Sequence, residues 1–133
     1  MKQLLLIILL FAGISTQAQE RNTLAELSVN TKQATYTAQV TQFIAGKPLG
    51  VTIGVTDSRE ALLTLRGMPK IENSNFVLNF QQGITWNNTG TFYYQATGAG
   101  YDFGKSVLIA NLTLRNTKRD LQAGLQLSIA FKF

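Results

Sequence analysis

The sequence predicts an all-β chain, an antiparallel up-and-down meander of about eight strands in one domain. Three observations predict it. Apolar and polar residues alternate with a period of two in run after run, and past the N-terminal segment no stretch keeps a helical period. Short clusters of Asn, Asp, Ser, Gly and Lys separate the runs and suit tight turns. The last run, Leu121–Phe133, keeps its alternation for thirteen residues. Its odd positions are Leu121, Ala123, Leu125, Leu127, Ile129, Phe131 and Phe133, and its even positions are Gln122, Gly124, Gln126, Ser128, Ala130 and Lys132.

The chain begins with a different signal. Lys2 precedes the apolar stretch Leu4–Ala12, and Gly13–Ala18 is smaller or more polar. This is the pattern of a secretory signal peptide over 1–18, cut after Ala18, with a single β-domain over 19–133. The apolar stretch is about half of the ~20 residues that a spanning helix needs. Without cysteine the exported chain carries neither a disulfide nor a lipoprotein anchor.

The runs follow in order: 24–30, 33–44, 49–57, 61–66, 75–86, 91–103, 106–115 and 121–133. In the first, Ala25, Leu27 and Val29 alternate with Glu26, Ser28 and Asn30. The second alternates Ala34, Tyr36, Ala38 and Val40 with threonines and Gln39, and the third Leu49, Val51, Ile53 and Val55 with Gly and Thr. The fourth is the shortest and spans a bilayer only if it extends into Gly67 and Met68. The fifth alternates Phe76, Leu78 and Phe80 with Val77, Asn79 and Gln81. The sixth, TFYYQATGAGYDF, mixes aromatics and glycines on both faces. The seventh alternates Leu108, Ala110, Leu112 and Leu114 with Val107, Ile109, Asn111, Thr113 and Arg115. Tight turns are expected at Asn30–Lys32, Asp57–Glu60, Asn87–Gly90 and Asn116–Asp120, and the longest connection at Gly67–Ser74.

The polar faces consist of Thr, Gln, Asn, Ser and Gly, while most charges sit in turns. Within strands the charges are Glu26, Arg66, Asp102, Arg115 and Lys132. Small uncharged polar side chains suit the narrow lumen of a closed barrel, where groups from all round must fit and bond one another. A soluble β-sandwich, the alternative architecture, turns such a face to water, where Lys and Glu are common. In a closed barrel the first and last strands are neighbours, so Glu26 is expected to pair with Lys132 or Arg115 across the seam, with Arg66 a further lumen charge. Phe43, Trp86, Tyr93, Tyr101, Phe103, Phe131 and Phe133 sit near strand ends, where interfacial aromatic girdles form.

Catalytic chemistry is poorly provided for. The chain has no His and no Cys, which excludes a Ser–His–Asp arrangement and the usual zinc and haem sites. Asp57 and Glu60 flank a turn and read as solvated, and Asp102 reads as a capping residue at a glycine-rich bend. No catalytic, metal or cofactor residues are assigned, and a non-enzymatic role is expected. The net charge of +5 is scattered, which argues against a nucleic-acid partner.

The signal peptide, the alternating strands and the terminal LQLSIAFKF together resemble small bacterial outer-membrane β-barrels. The motif-level match is confined to the last strand. The resemblance implies an exported chain in the outer membrane, with Leu125, Leu127, Ile129, Phe131 and Phe133 as closing strand and insertion signal. It implies lipid and the barrel-insertion machinery as partners, a structural, adhesive or small-solute role, and a protein or glycan partner held through loops. The alternatives are a secreted or periplasmic β-sandwich that binds a partner, and a β-rich fibre subunit that donates Leu24–Asn30 as an edge strand.

Overall fold

The computed structural model describes residues 22–31, 35–116 and 121–133. Residues 1–21, which hold the expected signal peptide, and residues 32–34 and 117–120, where two of the expected turns fall, lie outside the described residues. The strands are β1 (Thr23–Asn30), β2 (Thr35–Phe43), β3 (Leu49–Thr56), β4 (Ala61–Gly67), β5 (Phe76–Asn87), β6 (Gly90–Asp102), β7 (Ser106–Asn116) and β8 (Leu121–Lys132). Each pairs antiparallel with the next, and β1 pairs with β8, so the sheet closes into an eight-stranded barrel. The expected all-β meander is therefore present, with no helix among the described residues. The short fourth run gains only Gly67; Met68 still donates its N–H to Pro48 O at 2.8 Å, but Pro48 has no N–H to return the bond.

Closure removes two alternatives. There is one sheet, so the strands do not pack against a second as in a sandwich. The first strand is paired on both sides, Ser28 lying opposite both Thr37 and Ser128, so Leu24–Asn30 is not an open edge to donate.

The two ends of the barrel differ. At one end β3 passes to β4 through four residues, 57–60, and β5 to β6 through two, 88–89. At the other, the terminal end, which holds Asn22 and Phe133, the first and last described residues, the connections are 44–48, 68–75 and 103–105. The longest thus lies at the terminal end, as the sequence indicates. Asn87 builds the two-residue turn by accepting the Thr89 N–H at 2.8 Å.

Period two puts alternate side chains on opposite faces, and a small closed barrel has a lumen only wide enough for side chains. Space there is shared between large and small partners. Gly54 lies opposite Gln39 and Gly98 opposite Asn111, and a Cβ on Gly54 would come within 2.8 Å of the Gln39 Cβ. The faces are inverted relative to a water-soluble protein. Arg66 is 0 % exposed, and Leu112 on the outside is 67 % exposed.

Candidate functional site: the barrel interior

The middle of the lumen is solid with polar side chains. Arg66 from β4 reaches Glu26 of β1 at 2.5 Å, donates through Nε to Asn79 Oδ1 at 2.7 Å and through Nη1 to Thr41 Oγ1 at 3.1 Å. Thr41 and Thr52 share a hydrogen bond of 2.6 Å. Asn79 donates to Asn111 Oδ1 at 2.9 Å, Asn111 to Gln126 Oε1 at 3.4 Å, and Gln126 to Ser28 Oγ at 3.1 Å. A second chain runs from Gln81, whose amide donates to Gln39 Oε1 at 3.1 Å and to Thr64 Oγ1 at 2.9 Å. The network joins strands from all round the barrel, which is how buried polar groups become tolerable.

At the short-turn mouth Arg115 binds Glu60 at 2.6 Å and lies 4.5 Å above the centre of the Phe92 ring. Asn87 also donates to Glu60, at 3.3 Å, and Asn30 donates to Thr113 Oγ1 at 3.0 Å. Below them Leu62, Tyr94 and Ala96 form a small apolar layer.

At the terminal mouth the inner wall turns apolar, with Leu24, Val77, Val107, Ile109 and Ala130 buried together and Phe43 and Met68 packed against them. Leu24, Val77, Val107, Phe43 and Met68 line a cup of about 480 Å³ whose polar side chains include Lys47, Lys70, Asp102 and Lys132. Lys132 binds Asp102 at 2.6 Å.

The pairing expected across the seam is corrected. Glu26 meets Arg66, not Lys132 or Arg115. The register places Glu26 opposite Ala130 and Lys132 opposite Leu24, so Lys132 lies nearer the terminal mouth, where Asp102 is within reach. Arg115 sits at the other mouth with Glu60. Phe43 is likewise corrected, because it packs inward against the cup. Of the remaining aromatics, Trp86 and Tyr93 stand outward on β5 and β6 toward the short turns. At the terminal end Tyr101 packs between Phe76 and Phe103, with ring centres 5.1 and 4.8 Å away.

Sequence reasoning missed two lumen charges. Glu60 reads as part of a solvated turn, but it is 8 % exposed and continues the inward series Leu62, Thr64, Arg66. Asp102 does cap the glycine-rich bend as expected, accepting the Gly104 N–H at 2.8 Å, but it also continues the inward series Tyr94, Ala96, Gly98, Gly100 and so takes a lumen role too. Parity counted back from the clear part of each strand would have found both. Leu125, Leu127, Ile129, Phe131 and Phe133 all stand exposed on the outside.

Each lumen carboxylate (Glu26, Glu60, Asp102) is bound to a cation from another strand. That ties the charges to one another and provides no free acid–base pair. Among the described residues no group of three His, Cys, Asp or Glu side chains is placed to hold a metal ion.

No protein-family model and no curated protein matches the chain. Among solved structures it is similar to the N-terminal β-barrel domain of OprF from Pseudomonas aeruginosa, with a TM-score of 0.53 and 14 % identity over 86 % of this chain and 100 % of that one. The likeness is one of fold.

Proposed function

We propose that this chain is an exported outer-membrane β-barrel protein that crosses the bilayer with its strands and serves there as a structural element without catalysing a reaction. The observation that carries the reading is the inversion of polarity. A closed barrel with Arg, Gln and Asn inside and Leu, Ile, Phe and Val outside is matched to a hydrocarbon surround and mismatched to water. Five strands of 9–13 residues, tilted, are of the length a bilayer requires, while β1, β3 and β4, at 7–8 residues, are shorter. Outward Trp86 and Tyr93 at one end and Phe76, Tyr101 and Phe103 at the other fit aromatic belts at two interfaces. No helix among the described residues is long and apolar enough to cross a membrane, so strands are the candidates.

The filled lumen supports a structural role over passage of solute, and connections as short as two and four residues at one end give little surface for adhesion. The cup at the terminal mouth favours a second reading, the holding of a small solute with an apolar body. In the proposed assembly route β8, with Leu125, Leu127, Ile129, Phe131 and Phe133 outward, is read by the barrel-insertion machinery.

Localisation tests the proposal. The protein is expected in the outer-membrane fraction with heat-modifiable gel mobility, and deletion of Phe133 is expected to lower the amount assembled. Leu127→Arg, mid-strand on the outer face, should cost about 2–4 kcal/mol in reversible unfolding from lipid vesicles. Recovery of the native chain wholly in the soluble periplasm would overturn the reading.

A further inference from the structure

The outer belt is not apolar all the way round. On β8 every outward side chain from Leu121 to Phe131 is apolar. On β6 the outward series is Thr91, Tyr93, Gln95, Thr97, Ala99 and Tyr101. Gln95 lies directly opposite Gln82 of β5, which interrupts an otherwise apolar outward row of Phe80, Ile84 and Trp86. Gln82 and Gln95 sit halfway along their strands, well inside the girdles. Within the patch Tyr93 donates to Gln95 Oε1 at 3.3 Å and Gln95 to Thr97 Oγ1 at 3.5 Å, both long contacts. The Gln82 amide has no hydrogen-bond partner among the described residues. The same residues border a shallow outer recess of about 290 Å³ whose other walls include Leu65 and Phe80.

A primary amide in hydrocarbon has no solvent to bond to, so an unpaired one at mid-depth is strongly disfavoured and calls for a partner. We propose that this patch is the contact surface of a homodimer, occupied by the same patch of a second copy of this chain. The inference rests on the bilayer location proposed above.

Three features select a second copy. Copies inserted in one direction are related by a two-fold axis along the bilayer normal, so groups at equal depth face each other. Gln82 and Gln95 are cross-strand partners and differ in depth by only about 3 Å for a tilted pair. The two-fold axis therefore sets each Gln82 against the other copy's Gln95. An amide both donates and accepts, so the patch complements itself. The surround is uncharged, with Thr97 and with Ala99 opposite Ala110 of β7 on one flank, so two barrels meet there without like-charge repulsion.

The cysteine-free sequence makes the test direct. Single variants Gln95→Cys and, two strands further round the barrel on β8, Leu127→Cys are expressed in cells and treated in isolated membranes with a short bis-maleimide. Gln95→Cys is expected to yield a cross-linked dimer and Leu127→Cys none. Equal cross-linking at both positions, none at Gln95→Cys in a membrane-inserted barrel, or cross-linking to a different protein overturns the proposal. A chain absent from the membrane overturns the bilayer reading itself, so the two failures are distinct. The double variant Gln82→Leu, Gln95→Leu, checked for folding by heat-modifiable mobility, should dimerise at least tenfold more weakly by sedimentation in detergent. An unchanged dimer would also overturn the inference.

Discussion

The ion pair at the middle of the lumen and those at its mouths each join a carboxylate to a cationic side chain at nearly the same separation, 2.5 Å for Arg66–Glu26 and 2.6 Å for Arg115–Glu60 and Lys132–Asp102. Their surroundings differ. Both central side chains are 0 % exposed, whereas those at the mouths are between 10 % and 26 % exposed. Distance therefore says little about what each pair does. At the mouths water and salt share the charges, and breaking a pair leaves groups that solvent can reach. In the middle no water screens the charges, and Arg66 is held by Glu26, Asn79 and Thr41, so removing one partner strands the other.

The largest expected effect follows from that difference. Arg66→Ala should destabilise the barrel by about 3–5 kcal/mol in urea unfolding from detergent or vesicles, because Glu26 is left buried and unpaired. A loss no greater than at the mouths would break the comparison. Replacing both partners, with Glu26→Leu and Arg66→Met, should recover most of that loss. What remains should be about 1 kcal/mol, for the Asn79 acceptor that Arg66 no longer satisfies.

The mouths should respond less. Glu60→Gln or Asp102→Asn is expected to cost at most about 1 kcal/mol. Raising the ionic strength from about 0.05 to 0.5 M should shrink that cost while leaving the Arg66→Ala effect nearly unchanged, since screening reaches exposed charges first. The smallest effect is expected at Phe92→Leu, which removes the ring beneath Arg115 and should cost about 0.5–1 kcal/mol. A mouth variant as costly as Arg66→Ala would show that the mouths are drier than their exposure implies.

Legibility in the sequence tracks the regularity of each strand. In β8 parity alone places Gln126, Ser128 and Ala130 inside and Leu127, Ile129 and Phe131 outside. In β6 glycines and paired aromatics obscure the period, so Asp102 reads as a bend residue and Gln95 does not stand out, though each follows from counting by two from Tyr94. Glu60 is hidden because it precedes the first residue of β4 and looks like part of a turn. Phe43 misleads for another reason. Its place near a strand end is compatible with a girdle or with the inner cup, and the inward series Gln39, Thr41 decides for the cup.

Which face a side chain takes is a local choice, because successive residues of an extended chain point opposite ways, and it is legible wherever a strand keeps its period. The mainly polar character of one face and the apolar character of the other are legible in the same way. That Glu26 meets Arg66, forty residues away and three strands over, and that Lys132 meets Asp102, follows only from the closed barrel. Partners across a lumen depend on strand tilt and on the stagger accumulated round the closed sheet. That stagger belongs to the whole ring of strands, and no single run of residues contains it.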